Sequence, residues 1–191
     1  CKGPWRLING TELYDLRTDR SQQKDIAEDH PDVIAELRNL YEMFWQSVSP
    51  RMEPVAIDVG NPLENPTTLC SQDWYLPFGN PPWNFNSINR RVPITGPWHI
   101  MVQQKGKYRI TLRQLPKEAD EPVIAEQASL KLAGITHEAD VPTGASHIDF
   151  FIDLPAGKTK IETKLWSGTG PAGGAYFTEV ELLHPSNKNQ E

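Results

Sequence analysis

"GPWHIMVQQKGKYRITLRQLPKEA", residues 96–119, sets two short apolar rows one after the other. Trp98, Ile100 and Val102 alternate with their neighbours, and Tyr108, Ile110 and Leu112 do the same further on. Side chains of a strand point to opposite faces in turn, so each row predicts a strand with one buried face. With "KGK" between them as the turn, the pair reads as a β-hairpin.

Downstream, "AEQASLKLA", "HIDFFIDLP", "KTKIETKLW" after the turn Pro155-Ala156-Gly157, and "AYFTEVELL" carry the same texture. At least six strands therefore follow one another with no helix between them. A parallel α/β sheet needs crossover helices, so residues 96–191 are expected to form an antiparallel β-sandwich of Greek-key or jelly-roll kind.

Upstream the texture changes. The chain has 17 prolines, concentrated between Pro50 and Pro97 in strings such as "NPLENPTTL" and "PFGNPPWNF". Residues 51–95 are expected to be an irregular, proline-rich linker. Before it, "WRLIN" and "ELYDL" read as two strands joined by Gly10-Thr11 in a tight turn. In "DHPDVIAELRNLYEMFWQSVSP", Val33, Ile34, Leu37, Leu40, Tyr41, Phe44, Trp45 and Val48 recur at intervals of three and four. That spacing lines one face of a helix, which Pro31 opens and Pro50 closes. Residues 1–50 are thus a hairpin plus one amphipathic helix, too little to bury that aromatic face alone. The predicted fold class is mainly β: a hairpin and helix, a linker and a sandwich.

Composition narrows the function classes. The 191 residues suffice for one good-sized core, with 38% hydrophobic and 23% charged residues as in ordinary globular chains. No apolar run approaches the roughly 20 residues of a membrane span. A net charge of -6 with scattered Lys and Arg offers no basic stripe for a phosphate backbone, so neither nucleic acid nor membrane is an expected partner. Cys1 and Cys70 belong to no C-x-x-C pair. No basic n-region followed by an apolar h-region opens the chain.

Few strings suggest chemistry. "GTGPAGG" satisfies G-x-G-x-x-G at Gly168, Gly170 and Gly173, but a strand-like segment follows where a dinucleotide site requires a helix, so a flexible loop is expected. His30, His99, His137, His147 and His184 are dispersed, and "HEAD" and "HID" read as polar turns. Glu118, Asp120 and Glu121 form a charged loop with oxygens of the kind Ca²⁺ prefers, but a solvated loop is the simpler reading. No EF-hand, G-x-S-x-G, H-E-x-x-H or P-loop string occurs, so no catalytic residue and no metal ligand is assigned. Asn9-Gly10-Thr11 is a glycosylation sequon, read here as hairpin turn.

Aromatic residues are more informative. Trp74, Tyr75, Phe78, Trp83 and Phe85 crowd the proline-rich stretch, and Trp166 and Tyr176 rim the glycine loop. An aromatic face stacks well on sugar C–H groups, so Trp166 and Tyr176 are candidate carbohydrate platforms. Trp83 and Asn84, in "PPWN", are a second candidate pair.

The first quarter of the chain resembles the ending of the arylsulfatases, the formylglycine-dependent sulfatases. The order is Trp5, Arg6 and Leu7, then Glu12 to Leu16, then a polar turn from Asp19 to Ala27, then His30-Pro31 opening a helix. Arg20, Lys24, Asp25 and Ile26 depart from the family's usual residues. The resemblance implies a periplasmic or secreted bacterial parent enzyme that hydrolyses sulfate esters with a formylglycine nucleophile and Ca²⁺. The nucleophile motif C/S-x-P-x-R is missing: "CKGPWR" and "SVSPR" both break its spacing. The chain alone therefore has no activated nucleophile.

The remainder is similar to galactose-binding-like and carbohydrate-binding-module sandwiches, through "G-x-W", "G-x-Y-x-I-x-L" and "D-L-P-A-G-x-x-x-I". Together the resemblances imply a catalytically incomplete C-terminal portion of a sulfatase. Its sandwich would support an upstream catalytic domain and help hold a sulfated glycan. An independent carbohydrate-binding module and a purely structural sandwich are the alternatives.

Overall fold

The computed structural model describes residues 1–186. The chain divides into two compact units, Cys1–Glu53 and Pro54 onward.

In the first unit, β1 (Trp5–Ile8) and β2 (Glu12–Asp15) pair antiparallel, Trp5 opposite Asp15 and Ile8 opposite Glu12. The tight turn sits at Asn9 and Gly10, one residue before the expected place. Both take left-handed backbone (φ 51° and 75°), which Asn and Gly tolerate best, and the Thr11 N–H closes it on the Ile8 carbonyl. The polar stretch that follows is built on three carboxylates. Asp15 receives the Arg17 amide and guanidinium, Asp19 receives the amides of Gln23 and Lys24, and Asp25 receives those of Leu13 and Ala27. Helix α1 (Pro31–Val48) follows over the expected span, with Pro31 in its first turn, where no N–H is required. The Arg38 Nε donates to the Gly10 carbonyl at 2.8 Å, and Lys2 pairs with Glu36, tying helix to hairpin.

The second unit is a sandwich. Its strands are β3 (Ile57–Val59), β4 (Thr67–Cys70), β5 (Trp98–Val102), β6 (Gly106–Arg113), β7 (Gln127–Leu132), β8 (Ile135–Asp140), β9 (Ile148–Leu154), β10 (Gly157–Trp166) and β11 (Phe177–Pro185). One sheet runs β3-β5-β10-β7-β8, the other β4-β11-β6-β9. All pairings are antiparallel except β3 on β5. Trp98, Ile100, Leu130, Ile161 and Leu165 of the first sheet and Leu69, Tyr108, Ile110, Leu112 and Val180 of the second belong to one buried cluster.

Two expectations are corrected. Residues 51–95 are not a linker: from Pro54 the stretch belongs to the sandwich, giving each sheet an edge strand and sending Trp74 into the core against Trp98 and Tyr176. Short edge strands tolerate the prolines around them because one side of each needs no ladder. Nor do β5 and β6 form a hairpin, since they lie in opposite sheets. The Gln103 amide still follows β3, donating to the Val59 carbonyl, and the Tyr108 hydroxyl then donates to the Gln104 carbonyl at 2.6 Å as the chain crosses. Alternation tells which face is buried and leaves the partner strand open.

Candidate functional site

β10 is the middle strand of the five-stranded sheet, and its string "GKTKIETKLW" assigns side chains by parity. Ile161, Thr163 and Leu165 face the core, so Lys158, Lys160, Glu162, Lys164 and Trp166 face outward. On β7 the outward set is Gln127, Ser129 and Lys131; on β8 it is Thr136, Glu138 and Asp140. The register lays these in rows across three strands: Trp166, Gln127, Asp140; then Lys164, Ser129, Glu138; then Glu162, Lys131, Thr136. Within the rows the Gln127 amide donates to Asp140 at 2.7 Å, and Lys131 pairs with Glu162 at 3.1 Å.

The middle row has the small, buried Ser129 between an ammonium and a carboxylate, and a hollow opens there. It has a volume of about 360 Å³, lined by Ser129, Lys131, Thr136, Glu138, Glu162, Lys164, Trp166 and Ala172. Its lining combines one half-buried indole with hydroxyl, carboxylate and ammonium groups. Trp166 is fixed from behind: its carbonyl accepts the Glu126 amide at 3.0 Å, and the Glu126 carboxylate accepts the Gly168 amide at 3.1 Å.

The glycine stretch beside it is a loop between β10 and β11, as expected, and its far end is held to the sheet. Leu165 and Gly173 exchange two backbone hydrogen bonds (2.7 and 3.0 Å), and the Ala175 amide donates to the Thr163 hydroxyl at 3.0 Å. Gly174 is required, since a Cβ there would lie 2.7 Å from the Trp74 ring. β11 follows as a strand, so the arrangement offers no helix N-terminus to a pyrophosphate.

The four sequence candidates separate. Trp166 lies at the hollow. Tyr176 is not a platform: it is 1% exposed, packs against Trp74, and donates its hydroxyl to the Val92 carbonyl at 2.6 Å. Burial pushes its phenol up to about 12. Asn84 is committed as the N-cap of the short helix α2 (Phe85–Asn89), its side-chain oxygen accepting from the Ser87 amide at 2.9 Å and the Ser87 hydroxyl at 3.1 Å. Trp83 is 63% exposed and borders a separate hollow of about 230 Å³ with Pro82, Val92 and Ile94. The two hollows share no lining residue.

"HEAD", expected to be a polar turn, lies in the edge strand β8 and delivers Glu138 to the hollow. Ser129, Lys131 and Lys164 were not singled out from sequence, although parity on their strands was readable. His99 is held below the usual imidazole range by burial, with the Lys160 ammonium opposite it adding to the effect. Glu118, Asp120 and Glu121 are exposed on and after the 3-10 turn Lys117–Ala119. Among the described residues, no group of three or more His, Cys, Asp or Glu side chains could hold a metal ion.

The fold defines a mainly β protein, an antiparallel sandwich with a polar, tryptophan-bounded hollow on one outer face. No family model matches the chain, and no curated protein matches it. Solved structures similar to it include a ruminal GH26 endo-beta-1,4-mannanase, at 17% identity over 64% of this chain and 27% of that one, with a TM-score of 0.40. A GH2 beta-galacturonidase from Eisenbergiella tayi bound to glycerol is 12% identical over 63% and 25%, with a TM-score of 0.37. CBM35 from Cellvibrio japonicus Abf62 is 14% identical over 65% and 92%, with a TM-score of 0.35. The chain spans about a quarter of the length of the first two, and none of the three is described as a sulfatase. The fold stands on the strand pairing above.

Proposed function

We propose that the sandwich is a non-catalytic carbohydrate-binding domain whose site is the outer face of β10, β7 and β8. The observation that carries this reading is the hollow itself, in which one indole stands at the edge of a floor of hydroxyl, carboxylate and ammonium groups. A pyranose has an apolar C–H face and a rim of hydroxyls that both donate and accept. An aromatic ring serves the first, and mixed donors and acceptors serve the second. Isothermal titration with a panel of linear oligosaccharides tests it. Trp166→Ala is expected to weaken binding about tenfold or more, while Trp83→Ala leaves it unchanged. Unchanged affinity in Trp166→Ala would remove the site.

A second observation favours a supporting role for the first unit, packed against a larger domain that the sequence resemblance alone would make a sulfatase catalytic domain. Helix α1 buries only Leu37 and leaves Leu40, Tyr41, Phe44 and Trp45 exposed, the first three of them lining a groove of about 790 Å³. An apolar face of that extent is one a larger domain would cover. On this reading formylglycine and Ca²⁺ reside in the parent's catalytic domain. In a longer polypeptide carrying such a domain, amide exchange along α1 is expected to slow relative to this chain, and Phe44→Glu is expected to reverse the slowing. Equal exchange in the short and long chains would refute the docking.

A further inference from the structure

The outward row of β10 continues beyond the hollow. Lys158, Lys160, Glu162, Lys164 and Trp166 stand one every second residue, so the row spans about 27 Å. Lys131 of β7 engages Glu162. Among the described residues Lys158, Lys160 and Lys164 form no ion pair. Apart from Glu162, the acids sharing this face stand on its edge strands, Asp58 on β3 and Glu138 and Asp140 on β8, and Asp140 already accepts from Gln127. Among the described residues, three ammonium groups without an ion-pair partner thus line the central strand, while the acids of this face are paired within it or set on its edge strands.

The other face of the sandwich shows the contrast. There Arg109 pairs with Glu181, Arg113 and Lys117 both approach Glu179, and Lys107 stands directly opposite Asp153.

Resting on the carbohydrate reading above, we infer that the ligand is a linear polyanionic glycan that lies along β10. One sugar stacks on Trp166, and successive sulfate or carboxylate groups meet Lys164, Lys160 and Lys158. The exposed lysines each contribute little alone, so the selectivity comes from their number and spacing.

The test uses the full chain and four probes of equal length: a neutral hexasaccharide, a hexameric oligogalacturonate, a sulfated hexasaccharide and a single-stranded oligodeoxynucleotide. One or both anionic glycans are expected to bind at least tenfold more tightly than the neutral one, the gap narrowing as salt rises from low to physiological. Each single Lys→Gln change along the row is expected to weaken the anionic glycan about two- to five-fold. The Lys158→Gln, Lys160→Gln double variant, both residues lying outside the hollow, is expected to narrow the gap at least fourfold while leaving the Trp166-dependent neutral binding intact. Equal affinity for neutral and anionic glycans, or an unaltered double variant, overturns this inference and spares the reading beneath it. Binding of no glycan overturns both. An oligodeoxynucleotide bound as tightly as the anionic glycans overturns the assignment of a glycan.

Discussion

Trp166 and Tyr176 look alike in the sequence, two rings flanking a glycine stretch, and the structure gives them opposite fates. Trp166 falls on the outward parity of β10, whereas Tyr176 precedes β11 and enters the core, its hydroxyl satisfied by the Val92 carbonyl. The phenol's rise to about 12, against about 10 unfolded, has a consequence for stability. The folded state favours the neutral form. Stability is therefore fully present below about pH 10 and is lost as pH rises from 10 to 12, because the unfolded chain releases its proton first. Tyr108, raised by burial as well, contributes in the same direction. Tyr176→Phe is expected to cost about 1 kcal/mol at pH 7, through the lost hydrogen bond, and to flatten the alkaline decline by one proton. Urea unfolding at pH 8 and pH 11 measures both, and an unaltered alkaline decline in the variant would contradict the assignment.

Among elements, the strands that alternate cleanly were legible: β5, β6, β7, β9, β10 and β11 all overlap strings read as strands, with β6 and β10 starting in the expected turns and β11 running two residues further. The three that escaped are edge or near-edge pieces under weaker constraint. β3 and β4 have three and four residues amid prolines, and β8, "ITHEAD", exposes most of its side chains as an edge strand can. Helix α1 was legible in span and apolar face, and its two rows are expected to respond differently to substitution. Leu37 is buried, so Leu37→Ala is expected to cost about 2 kcal/mol or more and loosen the first unit. Phe44 is 60% exposed, so Phe44→Glu leaves the folding of this chain within about 0.5 kcal/mol of its parent. That independence makes the docking experiment readable.

For the whole molecule, the sequence indicates a mainly β fold correctly and assigns its proline-rich middle wrongly. Strand pairing across more than thirty residues, such as Thr163 of β10 opposite Leu130 of β7, is set by packing rather than by any local pattern. The candidate site divides in the same way. Trp166 could be named because it ends a strand beside a conspicuous loop. Its floor of Ser129, Lys131, Thr136 and Glu138 could not, since three strands must first come into register. The resemblance to sulfatases concerns the first unit, and the carbohydrate reading concerns the second, so the two stand or fall separately. The central claim is that sugar binds the outer face of β10. Titration of the ¹⁵N-labelled chain with linear oligosaccharides tests it most directly. Shifts confined to the Trp166 indole and to the amides of Ser129, Lys131, Thr136, Glu138 and Lys164 are the expected result. No shifts, or shifts centred on Trp83 and its separate hollow, would contradict it.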